Sequence, residues 1–467
     1  MSKSFTSFLL LFAVIAVCSI SSAIIFPGCA QIGMPTGGAK DSIPPRLLSS
    51  SPRINSIGVT GNKITLSFDE YIEVKDAQAN VLVSPFQKNV PSVDYKLRTV
   101  TVKLKDTLLP NTTYSINFGK AIVDLNEGNP LKDLTFVFST GNTIDSLMLD
   151  GKVLLAETGK ADSTIIAMLY RNADDSAVKK RRPDYISRLD GSGNFSFRNL
   201  PAGKFKLYAL LDGDGGKTYN SRFETFAFGS DEIVIGANNP LQVLFAYAEE
   251  KEVKNTAATA RATAADKKLK YSTSVTTGAQ ELTDGLLISY NRPLKEFDPA
   301  KIRLTDSNYN TINVTSIALD STKKNVSIQN AWQEEFQYRL IISQDAAKDS
   351  AGNMIAKADT IKFNSKTSED YGRVVLRFNN LDLSKHPVLQ LVQNNEVKNS
   401  YRLTAKEWSN KLVGPGEYEL RILYDENSNG KWDPGNYSQK KQPEKVLALP
   451  QKLGVRANWD NERDVNL

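Results

Sequence analysis

Residues 108–118 read LLPNTTYSINF, and this stretch indicates the fold class of the chain. After a Pro-Asn turn, Tyr114, Ile116 and Phe118 alternate with polar residues. Successive side chains of a β-strand point to opposite faces, so the alternation predicts a strand that is buried on one side. The same alternation surrounds it, in the runs Ile64-Leu66-Phe68, Val100-Val102-Leu104 and Phe136-Phe138. Several short strands separated by turn residues predict an antiparallel β-sandwich.

The pattern returns in the second half of the chain, which predicts an internal duplication. The alternating runs there are Leu286-Ile288-Tyr290, Val326-Ile328, Tyr338-Leu340-Ile342 and Ile361-Phe363. The turns match as well, since DLNEGNP (124–130) and DSAGNM (349–354) each precede the last strand of their block. Asp124 and Asp349 are 225 positions apart, and a repeat at a long offset is a signal of domain architecture.

Residues 197–219 and 412–437 form a second pair of similar segments. They read FRNLPAGKFKLYALLDGDGGKTY and LVGPGEYELRILYDENSNGKWDPGNY, each a Gly turn, an alternating strand and an Asp-rich loop. The chain is therefore predicted to be all-β, with four separate two-layer β-sandwich units that each have their own core. Their order is A-B-A-B, and we refer to them as A1, B1, A2 and B2.

Composition shifts set the predicted boundaries of these units. Residues 30–45 are rich in Gly and Pro without periodicity, and residues 249–270 are biased to Ala, Thr and Lys without a large apolar face. The predicted segments are a signal peptide (1–28), a tether (29–45), A1 (46–141), B1 (142–250), a linker (251–272), A2 (273–366) and B2 (367–467).

The N-terminus predicts attachment to a membrane. An uncharged apolar stretch from Phe8 to Phe26 is followed by PGCAQ, which resembles a bacterial lipoprotein signal with Cys29 as the lipid attachment residue. The alternative is an uncleaved anchor, because the stretch approaches the roughly 20 residues that span a bilayer. Either way, the rest of the chain lies outside the cytoplasm. Both cysteines, Cys18 and Cys29, lie in this region, so no disulfide stabilises the predicted units.

The units also resemble known families. ITLSFDEYI (64–72), LLPNTTYSINF and DLNEGNPL make A1 similar to the bacterial Ig-like domain first described in S-layer proteins, and ISYNRPL and EFQYRLII carry a weaker match in A2. LDGSGNFSFRNLPAGKFKLYAL (189–210) makes B1 similar to a carboxypeptidase regulatory-like, or transthyretin-like, domain, and GPGEYELRIL carries the match in B2. The whole chain looks like a Bacteroidota cell-envelope lipoprotein, with CAQIGMPTGGAKDSIPP (29–45) as its most specific mark.

That resemblance implies a function without catalysis. Its families serve as scaffolds, spacers and adhesion or binding modules, so the expected partners are the membrane, through the lipid, and an envelope protein or glycan. Bacteroidota lipoproteins on the cell surface tend to carry acidic residues after the lipidated Cys. Ala30, Gln31 and Ile32 supply none, which favours the periplasmic side of the outer membrane over the cell surface.

Composition excludes several other functions. The formal net charge of +6 is mild for 467 residues, and no broad basic face is predicted, so nucleic acid is not an expected partner. His386 is the only histidine, which excludes a metal site with two histidines, and its place before Pro387 indicates a loop or strand entry. We expect no enzyme; the alternative is an exported carboxylate-dependent hydrolase or its accessory subunit, since such chemistry needs only two acids.

One loop predicts a weak calcium site. In YDENSNGKWDPGNY (424–437), Asp425, Asn427, Asn429 and Asp433 stand at positions 1, 3, 5 and 9 of an EF-hand-like spacing, with the carbonyl of Lys431 at position 7. Position 12 lacks the usual Glu, so the expected affinity is only about 10⁻⁴–10⁻³ M. The counterpart loop of B1 keeps only Asp212 and Asp214. The alternative is an Asx-rich turn whose side chains bond their own backbone.

A short recurring motif predicts modification. Asp, then Ser or Thr, then a small or aliphatic residue resembles the O-glycosylation signal of those bacteria. The motif begins at Asp41, Asp106, Asp145, Asp162, Asp175, Asp320, Asp349 and Asp359. The same dipeptides favour turns, which is the alternative explanation.

Overall fold

The computed structural model describes residues 41–229, 231–251, 268–275 and 278–467, together with Ala13. The signal peptide, Cys29 and most of the tether and linker lie outside these residues. The described chain is an all-β multidomain protein whose sheets fall into four consecutive stretches, each with its own apolar cluster. The all-β prediction is confirmed.

A1 is built from three sheets. The first is β1-β2-β6-β5, the second is β4-β7-β9, and β3 pairs with β8. The alternating side chains predicted to face inwards do so: Tyr114, Ile116 and Phe118 are buried together with the other two runs. The strands are β1 (Leu47–Ser51), β2 (Lys63–Phe68), β3 (Ile72–Val74), β4 (Leu82–Ser84), β5 (Ser92–Lys96), β6 (Thr99–Lys103), β7 (Thr113–Asn117), β8 (Ile122–Asp124) and β9 (Thr135–Ser139).

A2 repeats this arrangement strand for strand. Its sheets are β18-β19-β23-β22, β21-β24-β26 and the pair β20-β25, in the same order as in A1. The strands are β18 (Tyr271–Thr273), β19 (Leu286–Tyr290), β20 (Leu294–Phe297), β21 (Ile302–Thr305), β22 (Ser316–Leu319), β23 (Asn325–Gln329), β24 (Gln337–Ile342), β25 (Ala347–Asp349) and β26 (Asp359–Asn364). Leu269 is buried in this core and β18 begins at Tyr271, so A2 starts inside the range predicted as linker.

The repeated turn before the last strand is organised by a buried Asp in both A units. Asp124 accepts hydrogen bonds from the backbone N–H groups of Glu127, Gly128 and Asn129. Burial alone would raise the pKa of Asp124, but these donors outweigh it and the pKa lies below its usual value. Asp349 is the counterpart: the side chain of Asn353, then backbone donors, lowers its pKa to about 2. The duplication therefore includes the turn chemistry.

B1 has two sheets. In the three-stranded sheet β13-β10-β17, β10 and β17 are parallel, and the larger sheet is β12-β11-β14-β15 with β16 also on β14. The strands are β10 (Leu147–Leu155), β11 (Ile166–Arg171), β12 (Tyr185–Arg188), β13 (Asn194–Leu200), β14 (Gly203–Leu210), β15 (Phe226–Phe228), β16 (Ile233–Ile235) and β17 (Gln242–Ala246).

B2 has the same two sheets, β30-β27-β34 with a parallel pair and β29-β28-β31-β32 with β33 on β31. The strands are β27 (Gly372–Asn379), β28 (Pro387–Gln393), β29 (Glu396–Arg402), β30 (Glu407–Val413), β31 (Gly416–Tyr424), β32 (Lys445–Ala448), β33 (Leu453–Val455) and β34 (Asp460–Asn466). Gly203 and Gly416 open the corresponding strands β14 and β31 with φ of 149° and 145°, a conformation that favours glycine.

The short helices lie in connections. They are α1 (Ala77–Asn80) and α2 (Ala177–Lys180), with 3₁₀ turns at Pro299–Lys301, Ser368–Asp370 and Leu383–Lys385. The basic run 179–182 begins on α2, and Arg181 pairs with Asp184 at 3.0 Å. His386 ends the last 3₁₀ turn with φ of 48° directly before β28, as its sequence position indicates.

Candidate functional site: the long B2 loop and the seam between B1 and B2

The predicted calcium ligands lie together in the connection between β31 and β32. Asp425 is only 2% exposed. Its carboxylate accepts hydrogen bonds from the backbone N–H groups of Asn429 (3.1 Å) and Gly430 (2.7 Å). Gly430 has φ of 77°, so a glycine suits this turn. The first residue of the loop therefore holds the backbone of the following five residues in place.

The next three predicted ligands bond mainly to one another. The side-chain amide nitrogens of Asn427 and Asn429 both donate to a carboxylate oxygen of Asp433. Their oxygens accept instead from backbone, Asn427 from the N–H of Asn429 (3.0 Å) and Asn429 from the N–H of Lys431 (2.7 Å). Each of these side chains is thus engaged within the loop.

These contacts match the Asx-turn alternative more closely than an arranged ion site. Calcium requires six to eight oxygen ligands, whereas here N–H donors occupy the oxygens and amide nitrogens face Asp433. No group of three His, Cys, Asp or Glu residues in the described part of the chain is arranged to hold a metal ion. Calcium binding at Asp425, Asn427, Asn429, Lys431 and Asp433 stays a prediction.

Sequence reasoning missed the residue that closes the loop. Glu444 accepts hydrogen bonds from the backbone N–H groups of Glu426 (2.9 Å) and Asp433 (3.0 Å), and it is 3% exposed. Burial raises its pKa, and the nearby charges of Asp433 and Asp425 raise it further. Its position, 19 residues after Asp425, fits no short motif, so only the three-dimensional arrangement identifies it.

B1 contains the same frame in a shorter form. Asp212 accepts from the backbone N–H of Lys217 (2.9 Å), and Glu224 accepts from those of Asn220 and Ser221. Strand pairing makes Glu224 and Glu444 equivalent. Phe226, two residues after Glu224, pairs with Leu210 at the end of β14. Val446, two residues after Glu444, pairs with Leu423 near the end of β31. Glu224 follows Asp212 by 12 positions and Glu444 follows Asp425 by 19, so the B2 loop is seven residues longer.

The longer loop ends in a tip that inserts into B1. Asn436 and Lys441 exchange backbone hydrogen bonds and form a small hairpin, from which Tyr437 projects. Tyr437 is 4% exposed and belongs to the apolar cluster on the outer face of the larger B1 sheet. Its ring meets Phe226 and Phe228 with centroids 5.1 Å apart in edge-to-face geometry, which is a favourable aromatic arrangement.

Polar contacts fix the orientation of that ring. Burial raises the pKa of Tyr437, and its hydroxyl donates to the backbone oxygen of Asp175 at 2.7 Å. The backbone N–H of Tyr437 donates to Glu249 at 2.7 Å, and Lys440 lies 4.2 Å from the ring centroid while pairing with Asp175. A buried tyrosine with a bonded hydroxyl is an anchor, because both its apolar body and its polar end are satisfied.

The remainder of the seam brings the two backbones close together. The N–H of Val446 donates to the oxygen of Ala156, and Lys160 pairs with Glu419 at 2.7 Å. A Cβ on Gly159 would lie 2.6 Å from backbone atoms of β32, and one on Gly435 would lie 2.6 Å from the Tyr247 ring. B1 and B2 each keep their own core, but they also contact each other through the cluster around Tyr437, although A2 lies between them in the sequence. The sequence did not predict this contact.

Two cavities open along the seam. One of about 530 Å³ is mainly apolar and is lined by Leu154, Phe245, His386, Tyr424 and Val446 among others. The other, of about 720 Å³, lies on the Trp432 side and is lined by residues of both B units, including Gln390, Asn395, Ser400 and Arg421. We call this second cavity the seam pocket.

The predicted modification motifs mostly present their hydroxyls to solvent. The residue after the Asp is exposed in seven cases and half-buried in one, Ser176. The exposed residues are Ser42, Thr107, Ser146, Ser163, Ser321, Ser350 and Thr360. Glycosylation stays a prediction.

Comparison with known proteins identifies one domain. Residues 41–140 match the family model of the bacterial Ig-like domain. No curated protein matches the chain. Among the residues that the structure describes, no helix has the length and apolar character needed to cross a bilayer.

Solved structures resemble the chain only loosely. The N-terminal part of the bacterial S-layer protein SbsC is 15% identical, with 46% of this chain and 47% of that one covered and a TM-score of 0.16. The chain thus spans about half the length of that structure. BcpA, the major pilin subunit of Bacillus cereus, is 10% identical over 69% of this chain and 99% of that one, with a TM-score of 0.17. The Bacillus anthracis TIE protein is 10% identical over 92% and 76%, with a TM-score of 0.18. These values are too low to support a functional inference.

Proposed function

We propose that this chain is a non-enzymatic cell-envelope lipoprotein that acts as a scaffold or binding module. In this proposal A1 and A2 are Ig-like sandwiches, B1 and B2 are transthyretin-like sandwiches, and Cys29 carries the lipid that holds them to the membrane. The match at residues 41–140 supports the first assignment. The identical strand orders of A1 and A2, and of B1 and B2, support extending each assignment to the second copy.

The observation that carries the proposal is the insertion of Tyr437 into B1. A flexible spacer needs units that move independently. Here B2 contacts B1 directly, although the whole of A2 lies between them in the sequence. The docked B1–B2 pair is a fixed platform with A1 joined to one B unit and A2 to the other. A1 contacts B1 through Arg188, which donates to the oxygen of Asn80 at 2.9 Å, and A2 contacts B2 through Tyr371, which accepts from the N–H of Leu282 at 2.8 Å.

The anchoring part of the proposal is tested by metabolic labelling with an alkyne fatty acid, followed by membrane fractionation. We expect the wild type to take up label and to sediment with membranes. Cys29→Ser should lose the label, while Cys18→Ser serves as the matched control and should keep it. Labelling that survives in Cys29→Ser, or a wild type that carries no lipid, would reject the lipoprotein assignment. Protease treatment of intact cells then distinguishes the periplasmic side, where the chain is protected, from the cell surface.

The non-enzymatic part is tested by an activity screen of the purified chain on peptidoglycan and on polysaccharides. We expect no turnover. Hydrolysis that disappears in Glu444→Gln would instead favour the hydrolase alternative, since Glu444, Asp425 and Asp433 are the carboxylates that the long loop brings together.

A further inference from the structure

The seam pocket contains two polar side chains that each have a buried atom without a hydrogen-bond partner. Arg421 is 2% exposed and Gln390 is 5% exposed, and they face each other as a cross-strand pair of β28 and β31. Among the described residues, Nε of Arg421 and Oε1 of Gln390 have no hydrogen-bond partner. Burying such groups without partners costs roughly 1–3 kcal/mol each, so their presence requires an explanation.

Arg421 shares its neighbouring carboxylate with a second cation. Its guanidinium contacts Glu419 at 3.3 Å, but the same carboxylate pairs with Lys160 at the shorter distance of 2.7 Å. Two cations thus share one anion. Three acids also line the pocket: Glu157 pairs with Lys251, Glu396 pairs with Lys398, and Glu249 shares Arg222 with Glu250. Because Nε of Arg421 has no partner and its one carboxylate is shared, the guanidinium keeps hydrogen-bonding capacity for a further anion.

The fold does not require polar residues at these two positions. In B1 the equivalent cross-strand pair is Met168 and Tyr208, and both are buried in the apolar cluster around Tyr437. The two units share strand order and register, so an apolar pair is compatible with the sheet. B2 has kept a charged residue and an amide where its duplicate has apolar or aromatic side chains.

We propose that the seam pocket binds the carboxylated sugar of an acidic glycan, with the carboxylate on Arg421. The planar guanidinium matches a carboxylate in a paired hydrogen-bond geometry. The carboxylate of the ligand would add a second anion beside the two cations. Gln390, Asn395 and Ser400 line the same cavity and offer amides and a hydroxyl to sugar hydroxyl groups. A volume of about 720 Å³ lies within the usual range for small-ligand sites. This inference rests on the proposed binding function and names the class of its glycan partner.

The test is isothermal titration of the detergent-solubilised full chain with methyl glucuronide and with methyl glucoside. The two sugars differ only in that a carboxylate replaces a hydroxymethyl group, so the comparison isolates the charge. We expect the glucuronide to bind at least about tenfold more tightly, the minimum for a charged hydrogen bond of this kind. Equal affinity for the two sugars, or no heat from either at 10 mM, overturns the inference without affecting the lipid-anchoring test.

Variants then locate the site. Arg421→Lys keeps the charge but not the planar fork, and we expect it to weaken glucuronide binding by about tenfold or more. Arg402→Gln changes an exposed arginine of the same unit and should bind as the wild type. Gln390→Met installs the side chain that B1 carries; it should weaken binding while raising the melting temperature, because it removes an unsatisfied buried oxygen. Unchanged binding in both Arg421→Lys and Gln390→Met would show that the sugar binds elsewhere and reject the pocket.

Discussion

B1 and B2 have the same strands in the same order, yet their equivalent loops do different things. Both loops begin with an Asp that holds backbone N–H groups and end with a Glu that does the same. The B1 loop stays on its own unit, where Tyr219 stacks on Phe226 with centroids 4.1 Å apart. The B2 loop is seven residues longer and carries Tyr437 into B1. The repeated frame therefore specifies the fold of each unit, whereas the length of one loop determines how B1 and B2 assemble.

Removal of the Tyr437 anchor is expected to have the largest effect on the contact between B1 and B2. Tyr437→Ala deletes a buried ring and its hydrogen bond to Asp175, and we expect a loss of about 3–5 kcal/mol from the docked state. The measurement is hydrogen exchange of β15, whose amides should become less protected, together with a melting curve that separates into two transitions. Tyr95→Ala, at an exposed position, is the control and should change neither. Unaltered β15 protection in Tyr437→Ala would mean that the tip does not hold the two units together.

A smaller effect is expected where the backbones approach closely. Gly435→Ala places a methyl group 2.6 Å from the Tyr247 ring and 2.7 Å from the oxygen of Lys441, so the tip must shift. Overpacking of this kind costs about 1–3 kcal/mol. Gly454→Ala in the same unit meets no atom within 4 Å and is the matched control. Thermal melting compares them, and equal melting temperatures would argue against close contact at Gly435.

Calcium is expected to stabilise the B2 loop but not the B1 loop. A site with a dissociation constant near 1 mM would stabilise the chain by about 1.4 kcal/mol in 10 mM calcium. We expect this gain to disappear in Asp425→Ala and to persist in Asp212→Ala, because the B1 loop lacks the later oxygen ligands. The measurement is the melting temperature with calcium against chelator. A wild type that melts identically in both leaves the Asx turns as the full account of the loop.

The smallest effect concerns pH. Because burial raises the pKa of Glu444, the folded loop binds a proton more tightly than the unfolded chain does. Stability from this group is therefore complete below the ordinary Glu value of 4.5 and is lost as pH rises through the folded pKa. We expect the melting temperature to rise on acidification from pH 7 towards 5. Glu444→Gln should flatten that dependence, and a dependence that persists in this variant must come from another group.

Local patterns were sufficient to predict much of the fold. Tyr114, Ile116 and Phe118 are buried as the alternation requires, because a strand side chain has only two faces to choose between. The turn at Asp349 was predicted from the same short motif as that at Asp124. The start of A2 was less predictable, since Leu269 and Tyr271 follow a stretch without periodicity and have no alternating neighbours.

The seam could not be predicted in the same way. Tyr437 lies in a loop, where no periodicity indicates a buried face, and its partners Phe226 and Phe228 are more than 200 positions away. Glu444 is separated from Asp425 by an insertion that no motif describes. Arg421 stands in an alternating strand whose outward face normally meets solvent, and only the approach of B1 makes that face internal. Such features depend on tertiary contacts rather than on local sequence.

The docking of Tyr437 also determines how the molecule would carry tension. A pull between the N-terminal side of A1 and the C-terminus of B2 passes from B1 into B2 through the seam, which Tyr437 anchors. A2 lies in the intervening chain, so it bears none of that pull until the tyrosine is withdrawn. The contact would then break under load before A2 is loaded, and its rupture would release the length of chain between the two B units.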